Sequence, residues 1–288
     1  MKLIPALLLA STSVFAAEPI VVKLWPGGAP EKPGVKIEAE KEVPKKSADD
    51  VQRITNVTEP MITVFKPEKP NGTSVLVCPG GGYRILAYEH EGTQVCEFLN
   101  KHGVTGILLK YRVPARDPKD PGREPLQDAQ RAMGIIRHHA AEWGLKPDRV
   151  GILGFSAGGH LSIMTTLHAN ERTYTTDPAL DVEDATPDFA IPVYAAYLTE
   201  KNSGFTLLPE FKVTGKAPPM CLVHAHDDRI TAAGSALLYL GYKKLNLPCE
   251  LHIYAKGGHG FGMRKSGGPV NDWPDRVAEW MKSMGYIP

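Results

Sequence analysis

One serine in this sequence stands in the setting that nucleophilic catalysis requires. Residues 151–160 read GILGFSAGGH, in which an apolar run stops at Ser156 among small residues. Residues 154–158 fit the pattern GxSxG, in which small residues let a strand turn sharply into a helix and leave the serine hydroxyl exposed. The pattern is short and also suits a tight packing turn, so its interpretation depends on what the rest of the chain brings to Ser156.

The chain supplies the two further groups that such a serine needs. A serine hydroxyl is a weak nucleophile, so it needs a base and a third group that orients the base. In proteins with this turn the chain order is serine, then an acid, then histidine. Asp227 and Asp228 follow one predicted strand, and His259 lies in a glycine-rich loop after another. We predict Ser156 as nucleophile, His259 as general base and Asp228, rather than Asp227, as the acid.

A glycine-rich loop after an earlier predicted strand suits the oxyanion of such a reaction. Residues 78–83 read CPGGGY. Attack on an ester places negative charge on the carbonyl oxygen, and one fixed N–H donor there is worth about 3 kcal/mol. Glycines let the backbone approach that oxygen without a Cβ. Tyr83 and Tyr194, with Tyr197, are candidate contacts for a sugar or an aromatic acid, although each also suits packing at a strand end.

Histidines and aspartates near the predicted acid could instead bind a metal ion. His224, His226, Asp227 and Asp228 offer ligand types that suit zinc. Their spacing lacks the usual pattern of a zinc site, and the aspartate already has a role beside the histidine base. We therefore predict no metal site and no cofactor.

The elements that must position these residues alternate from about residue 72 onward. Apolar segments rich in β-branched residues alternate with patterns of helical period, which predicts a mostly parallel sheet covered on both faces. The predicted strands are 74–78, 106–111, 149–153, 189–194, 220–224 and 249–254, and the predicted helices are 93–102, 125–143, 157–168, 231–245 and 272–284.

Two other patterns give more local expectations. The alternating residues 51–58 and 61–65 predict antiparallel strands ahead of the main sheet, and the charged residues 38–50 predict a solvated loop. In the helix predicted over 125–143, apolar residues recur every three or four positions. Asp128 and Arg131 stand three apart in that helix, so they are expected to pair on its surface.

Composition and the N-terminus limit the class of protein. The chain has 288 residues and a formal net charge of +1, so neither nucleic acid nor a membrane is an expected partner. Residues 1–17 carry one lysine, a short apolar run and small residues, which predicts a cleaved signal peptide, a secreted or periplasmic protein and one mature domain over 18–288. The four cysteines fit no metal motif, and their spacing is compatible with either a disulfide or buried thiols.

These motifs together resemble those of secreted α/β-hydrolases of the acetyl esterase and lipase group, which includes acetylxylan and feruloyl esterases. The resemblance covers most of the chain from about Leu24 and rests on LWPGGAP, PGGGY, LLKYRVP, PLQDAQRAMGIIR, GFSAGGHLS, HAHDDRIT and GGHGFGM. It implies the α/β-hydrolase fold, with a mostly parallel doubly wound sheet, N-terminal antiparallel strands and no large lid domain. It also implies oxyanion donors at Ala157 and at Gly81 or Gly82, although Pro79 stands where many lipase-like relatives have histidine.

The activity that the resemblance implies is hydrolysis of short acyl esters, acetyl above all, carried on plant polysaccharide or oligosaccharide. Residues 170–214 contain no long apolar helix that would form a lipase lid, which favours small acyl groups over triglyceride. The alternatives are a feruloyl esterase, a serine peptidase of the prolyl-oligopeptidase kind, and a binding protein that has kept the fold without catalysis. Such peptidases normally carry an N-terminal propeller, which the short region before Gly72 cannot form.

Overall fold

The computed structural model describes residues 18–31, 36–47, 50–178, 180–181, 184–201 and 204–288. The predicted signal peptide, residues 1–17, lies outside the described residues. The α-helices are α1 (Gln94–Lys101), α2 (Arg123–His138), α3 (Ala140–Trp143), α4 (Ala157–Leu167), α5 (Ala233–Lys244) and α6 (Trp273–Ser283), and a π-helical turn (Glu89–Thr93) precedes α1. The strands are β1 (Ile20–Lys23), β2 (Lys41–Val43), β3 (Arg53–Thr55), β4 (Met61–Phe65), β5 (Ser74–Cys78), β6 (Leu86–Ala87), β7 (Thr105–Lys110), β8 (Val150–Phe155), β9 (Phe189–Val193), β10 (Met220–Ala225) and β11 (Cys249–Tyr254).

Eight of the described strands form one large sheet in the order β1-β4-β7-β5-β8-β9-β10-β11. The pairs β1/β4 and β4/β7 are antiparallel, and each neighbouring pair from β7 to β11 is parallel. Strands β2, β3 and β6 form a small separate antiparallel sheet. The predicted α/β-hydrolase architecture, a mostly parallel sheet with N-terminal antiparallel strands, is confirmed.

Helices pack on both faces of the large sheet because its strands alternate their side chains between the faces. In β5, Leu76 and Cys78 belong to one hydrophobic core, while Val75 and Val77 belong to the other. The first core takes its helical residues from α2, α3, α4 and α5, and the second takes them from α1 and α6. The strands are therefore fixed between two packed layers, and the loops at their carboxyl ends have a rigid base.

The segment predicted as one helix over 125–143 is divided in the structure. Helix α2 ends at His138, and the short helix α3 completes the segment. The predicted loop over 38–50 contains β2, whose lysine and glutamate are exposed, so its solvated character holds although its backbone is extended.

The expected surface pair of Asp128 and Arg131 was wrong. Asp128 is fully buried and pairs with Arg112, with Nη2 and Oδ1 2.9 Å apart, while Arg131 pairs with Asp181. The physical reason is that the N-terminal segment covers this face of α2, where Trp25 Nε1 donates to Asp128 Oδ1 at 2.8 Å.

The region expected to lack a lid contains little regular structure. Among the described residues between 170 and 214, the regular elements are β9 and one 3₁₀ turn, Pro209–Phe211. No large lid covers the carboxyl edge of the sheet within the described chain, as the sequence indicated.

The four cysteines are free thiols, which resolves the choice that their spacing left open. Cys78, Cys96 and Cys221 are buried, and burial raises the pKa of each thiol above its usual range. They therefore behave as small apolar side chains within the two cores.

Candidate active site

The residues expected to do chemistry lie at one edge of the large sheet. Ser156 follows β8, Asp228 follows β10, His259 follows β11, and the loop at Gly81 follows β5. Because these strands are parallel, their carboxyl ends meet at the same edge. Ser156, His259 and the glycine loop border one cleft there, with a volume of about 410 Å³, and Asp228 lies behind His259.

Ser156 lies in a strained turn between β8 and α4. Its backbone has φ 53° and ψ −115°, a conformation that residues other than glycine rarely adopt. The turn requires Gly158, because a Cβ there would lie 2.1 Å from the carbonyl oxygen of Cys78. The Ser156 N–H donates to the Val193 carbonyl at 3.1 Å. The turn therefore fixes the serine between two neighbouring parallel strands.

Ser156, His259 and Asp228 form a continuous hydrogen-bonded chain. Ser156 Oγ lies 2.9 Å from His259 Nε2, and His259 Nδ1 lies 2.8 Å from Asp228 Oδ2. The Asp228 side chain is fully buried, whereas the histidine retains 15% of its side-chain exposure. When Nδ1 carries the proton that it donates to Asp228, Nε2 is free to accept the proton of the serine hydroxyl.

The surroundings of Asp228 keep it ionised. Burial, the largest single influence, acts to raise its pKa, but hydrogen bonds from His224, His259 and the Ile230 N–H outweigh burial and lower the pKa to about 2. The Ile230 N–H donates to Oδ1 at 2.7 Å, and His224 Nε2 lies 3.4 Å from Oδ2. His224 is itself held by Ser235, whose Oγ lies 2.9 Å from Nδ1. Asp228 thus presents a negative charge to His259 at neutral pH.

The neighbouring acid, Asp227, makes different contacts. Its Oδ1 accepts the N–H groups of Gly257 and Gly258 at 2.9 and 2.8 Å, so it shapes the loop that leads to His259. Of the histidines considered as metal ligands, His226 is exposed, and His224 is buried between Ser235 and Asp228. The four residues therefore do not face one common point.

The glycine loop presents backbone N–H groups beside Ser156. Gly81 and Gly82 line the cleft with φ of +136° and +63°. A Cβ at Gly81 would lie 2.0 Å from the Ile85 carbonyl oxygen, so the loop can take this path only with glycine. Within the described chain, neither glycine N–H donates to a backbone acceptor. Ala157 is the first residue of α4, where an N–H has no acceptor inside the helix.

A buried glutamate that the sequence analysis did not single out supports this loop. Glu91 Oε2 accepts the Gly80 N–H, and Oε1 accepts the Tyr194 hydroxyl, both at 2.8 Å. The Tyr194 oxygen accepts the Gly262 N–H at 2.9 Å, in the loop that carries His259. Burial raises the pKa of Glu91, and its hydrogen bonds from Tyr194 and Gly80 oppose that rise. This set of contacts, the Glu91 network, connects the glycine loop to the histidine loop.

Tyr83 and Tyr194 do not contact the cleft in the way that was predicted for substrate-binding residues. Tyr83 is 1% exposed, with its hydroxyl 2.8 Å from His160 Nδ1, and Tyr194 is fully buried against Glu91. Buried phenol groups need such partners, which holds both rings in the interior. Tyr197 is 48% exposed, borders the cleft and stacks on Tyr83. Of the three tyrosines considered, Tyr197 is the one that borders the cleft.

Comparison with known proteins agrees with this architecture. The BD-FAE family model matches residues 62–195. An acetylxylan esterase of Xylanibacter ruminicola is 30% identical over an alignment of 248 residues, and the match covers 76% of this chain and 47% of that protein. The chain spans less than half the length of the first curated relatives that it matches.

Solved structures give the same grouping. An acetyl ester-xyloside bifunctional hydrolase from Caldicellulosiruptor lactoaceticus has a TM-score of 0.69 and 29% identity, and the match covers 80% of this chain and 90% of that one. A thermophilic esterase from Thermogutta terrifontis has a TM-score of 0.69 with 20% identity over 90% of this chain and 97% of that one, which supports the fold alone. The chain therefore has the α/β-hydrolase fold and is similar to esterases of that superfamily.

Proposed function

We propose that this protein is a serine carboxylesterase that removes short acyl groups, acetyl above all, from substituted polysaccharide or oligosaccharide. The observation that carries the proposal is the chain from Ser156 Oγ through His259 to Asp228, with contacts of 2.9 and 2.8 Å. The names of two similar proteins, an acetylxylan esterase and an acetyl ester-xyloside hydrolase, support the acetyl group and the sugar carrier. The uncovered cleft suits a small acyl group on a large alcohol.

The reaction proceeds in two acyl transfers. Ser156 Oγ attacks the ester carbonyl carbon while His259 Nε2 takes the hydroxyl proton, and the same imidazolium then protonates the departing alcohol oxygen. A water molecule next gives a proton to His259 and adds to the acyl carbon, and the imidazolium then returns a proton to Ser156 Oγ as the acid leaves. Asp228 stabilises the imidazolium in both halves.

The oxyanion of each tetrahedral intermediate needs fixed donors. We assign this role to the Ala157 N–H together with that of Gly81 or Gly82, which border Ser156. Their positions are set by the helix start and by the glycine loop rather than by flexible side chains. The donors are therefore in place before the charge develops.

The test measures hydrolysis of 4-nitrophenyl acetate, acetylated xylan and methyl ferulate by the purified protein. We expect turnover of the aryl acetate and release of acetate from the xylan, with methyl ferulate the poorer substrate. Ser156→Ala should lower kcat by roughly 10⁶-fold and abolish labelling by a fluorophosphonate. Ser162→Ala is the matched control, because the Ser162 hydroxyl donates to the Gly159 carbonyl within α4 and does not face the cleft.

Each other result identifies an alternative. A folded protein with neither turnover nor labelling would be a binding protein without catalysis. A strong preference for methyl ferulate would make the protein a feruloyl esterase. Cleavage of proline-linked amides in preference to esters would make it a peptidase.

We further propose that the protein is exported and that residues 18–288 form one α/β-hydrolase domain. The short apolar run and the small residues that end residues 1–17 support a cleaved signal peptide. None of the described helices combines the length and the apolar character that a membrane span requires. N-terminal sequencing of protein recovered from expressing cells should give a chain that starts at Ala17 or Glu18, and a chain that retains Met1 would contradict export by this route.

A further inference from the structure

Three arginines border the cleft at Ser156. Arg53 lies in β3 of the small sheet, Arg229 follows Asp228 beyond β10, and Arg264 lies in the loop that follows His259. They come from three separate parts of the chain, so their meeting at one cleft is a property of the fold. The whole chain has a formal net charge of only +1, so a general excess of basic residues does not explain the cluster.

The positive charge of two of these arginines is not balanced by a neighbouring carboxylate. Arg53 Nη1 pairs with Asp50 Oδ1 at 2.8 Å. Arg229 and Arg264 are exposed, and neither has a carboxylate within ion-pair distance among the residues that the structure describes. Arg264 donates to the Gly260 carbonyl, a contact that directs its guanidinium group toward the histidine loop.

The acidic residue in the described cleft lining, Glu91, forms no ion pair with these arginines. Glu91 is 3% exposed, and its two oxygens already accept hydrogen bonds from Gly80 and Tyr194. The solvent-facing border of the cleft therefore carries positive charge, and a cleft focuses such a field on whatever enters it. A guanidinium group prefers a planar anion such as a carboxylate, with which it forms two parallel hydrogen bonds.

We propose that the esters hydrolysed at this site carry a carboxylate on their alcohol part, as an acetylated oligosaccharide with a uronic acid substituent does, and that Arg229 and Arg264 bind that carboxylate. An acetyl group carries no anion, so the carboxylate belongs to the sugar. This inference rests on the proposed esterase function and adds the substrate class. A neutral acetylated sugar lacks the group that these arginines bind.

The test uses an acetylated xylo-oligosaccharide that bears one uronic acid and the same compound with its carboxylate converted to a carboxamide. Acetate release is measured for both at low and high salt. We expect kcat/KM to be roughly tenfold or more higher for the acid, mostly through a lower KM, because a charge-assisted hydrogen bond is lost in the amide. Added salt should reduce this preference, since exposed charges are screened.

The matched variants are the double substitution Arg229→Gln with Arg264→Gln, and Arg276→Gln as control. Arg276 lies on α6, is exposed and does not border the cleft. We expect the acid-to-amide ratio to fall to about one in the double variant and to persist in the control. Because the acid-to-amide ratio of kcat/KM is taken within each variant, a loss of activity that is the same for both substrates does not affect it.

The outcomes distinguish this inference from the proposed function. If neither compound nor any aryl acetate releases acetate, the esterase proposal itself fails. If both compounds react with equal kcat/KM, or if the preference survives in the double variant, the esterase proposal stands and the carboxylate inference is overturned.

Discussion

Two adjacent aspartates follow β10, and their contacts assign them different tasks. Asp228 Oδ2 lies 2.8 Å from His259 Nδ1, while Asp227 Oδ1 accepts the N–H groups of Gly257 and Gly258. A carboxylate beside Nδ1 keeps the imidazole in the tautomer that accepts a proton at Nε2. An acid bound to the loop backbone contributes only to the position of the loop.

Substitution of each aspartate should separate these tasks. Asp228→Asn should lower kcat for an aryl acetate by roughly 10⁴-fold, because an amide no longer favours that tautomer or stabilises the imidazolium. Asp227→Asn should cost far less, because an amide oxygen can still accept both glycine N–H groups. Steady-state kinetics of the two purified variants provides the measurement. A larger loss for Asp227→Asn would transfer the role of the acid to Asp227.

At this scale the sequence predicts the residues of the proposed catalytic site better than the residues that support them. Ser156 and His259 stand in glycine-rich turns at strand ends, and that setting is visible in the sequence. Tyr83 has the same kind of setting, yet it is buried. Its prediction as a substrate contact failed because the sequence does not specify the direction in which a ring points. Nothing in the sequence marks Glu91 as a residue that supports the site, since a glutamate just ahead of a helix is ordinarily a solvated residue of the first turn.

At the scale of elements, the π-helical turn Glu89–Thr93 and the loops after β5 and β11 act together through the Glu91 network. The turn places Glu91 beneath Gly80, and Tyr194 continues the contact to Gly262. A π-helical turn often marks a functional site. Here it brings a buried carboxylate to the point where the glycine loop meets the loop that carries His259.

Glu91→Gln should weaken catalysis while the protein remains folded. Both carboxylate oxygens accept hydrogen bonds, so an amide N–H must face either the Gly80 N–H or the Tyr194 hydroxyl. The resulting shift of the glycine loop should lower kcat by roughly 10- to 100-fold with little change in KM. The measurement is steady-state kinetics on an aryl acetate together with the melting temperature.

The control for this prediction is Glu89→Gln in the same turn. Glu89 pairs with Lys45 and is not part of the cleft lining, so its loss should leave kcat unchanged. Equal kinetics for Glu91→Gln and the wild type would show that the Glu91 network does not position the glycine loop for catalysis.

Helices and strands were predictable where burial determines the pattern of apolar residues along them. The central strands are apolar over their whole length because both faces are covered, and each strand expected from residue 72 onward is present. The small sheet was predicted only in part, since β2 has three residues with largely exposed side chains and no apolar period. No proline or glycine marks the break between α2 and α3 in the sequence.

At the scale of the whole molecule, the N-terminal segment contacts a buried ion pair between Arg112 and Asp128 of α2. Arg112 and Asp128 are both fully buried, and Arg112 Nε lies 3.0 Å from both carboxylate oxygens. Trp25 Nε1 donates to the same carboxylate at 2.8 Å, and Arg112 Nη1 donates to the Pro30 carbonyl at 2.6 Å. The surface pairing expected for Asp128 failed because helix periodicity does not report which distant segment covers a helix.

Asp128→Ala should therefore destabilise the whole fold, because it leaves the Arg112 guanidinium buried without its counter-ion. Loss of one partner of a buried pair costs about 3–5 kcal/mol of unfolding free energy. The exposed pair Arg276–Glu279 is the comparison, since the two side chains are 45% and 62% exposed and Glu279→Ala should cost less than about 1 kcal/mol. Urea unfolding of both variants measures the difference. A loss for Asp128→Ala as small as that for Glu279→Ala would mean that water reaches Arg112 and that the N-terminal segment does not seal this side of the sheet.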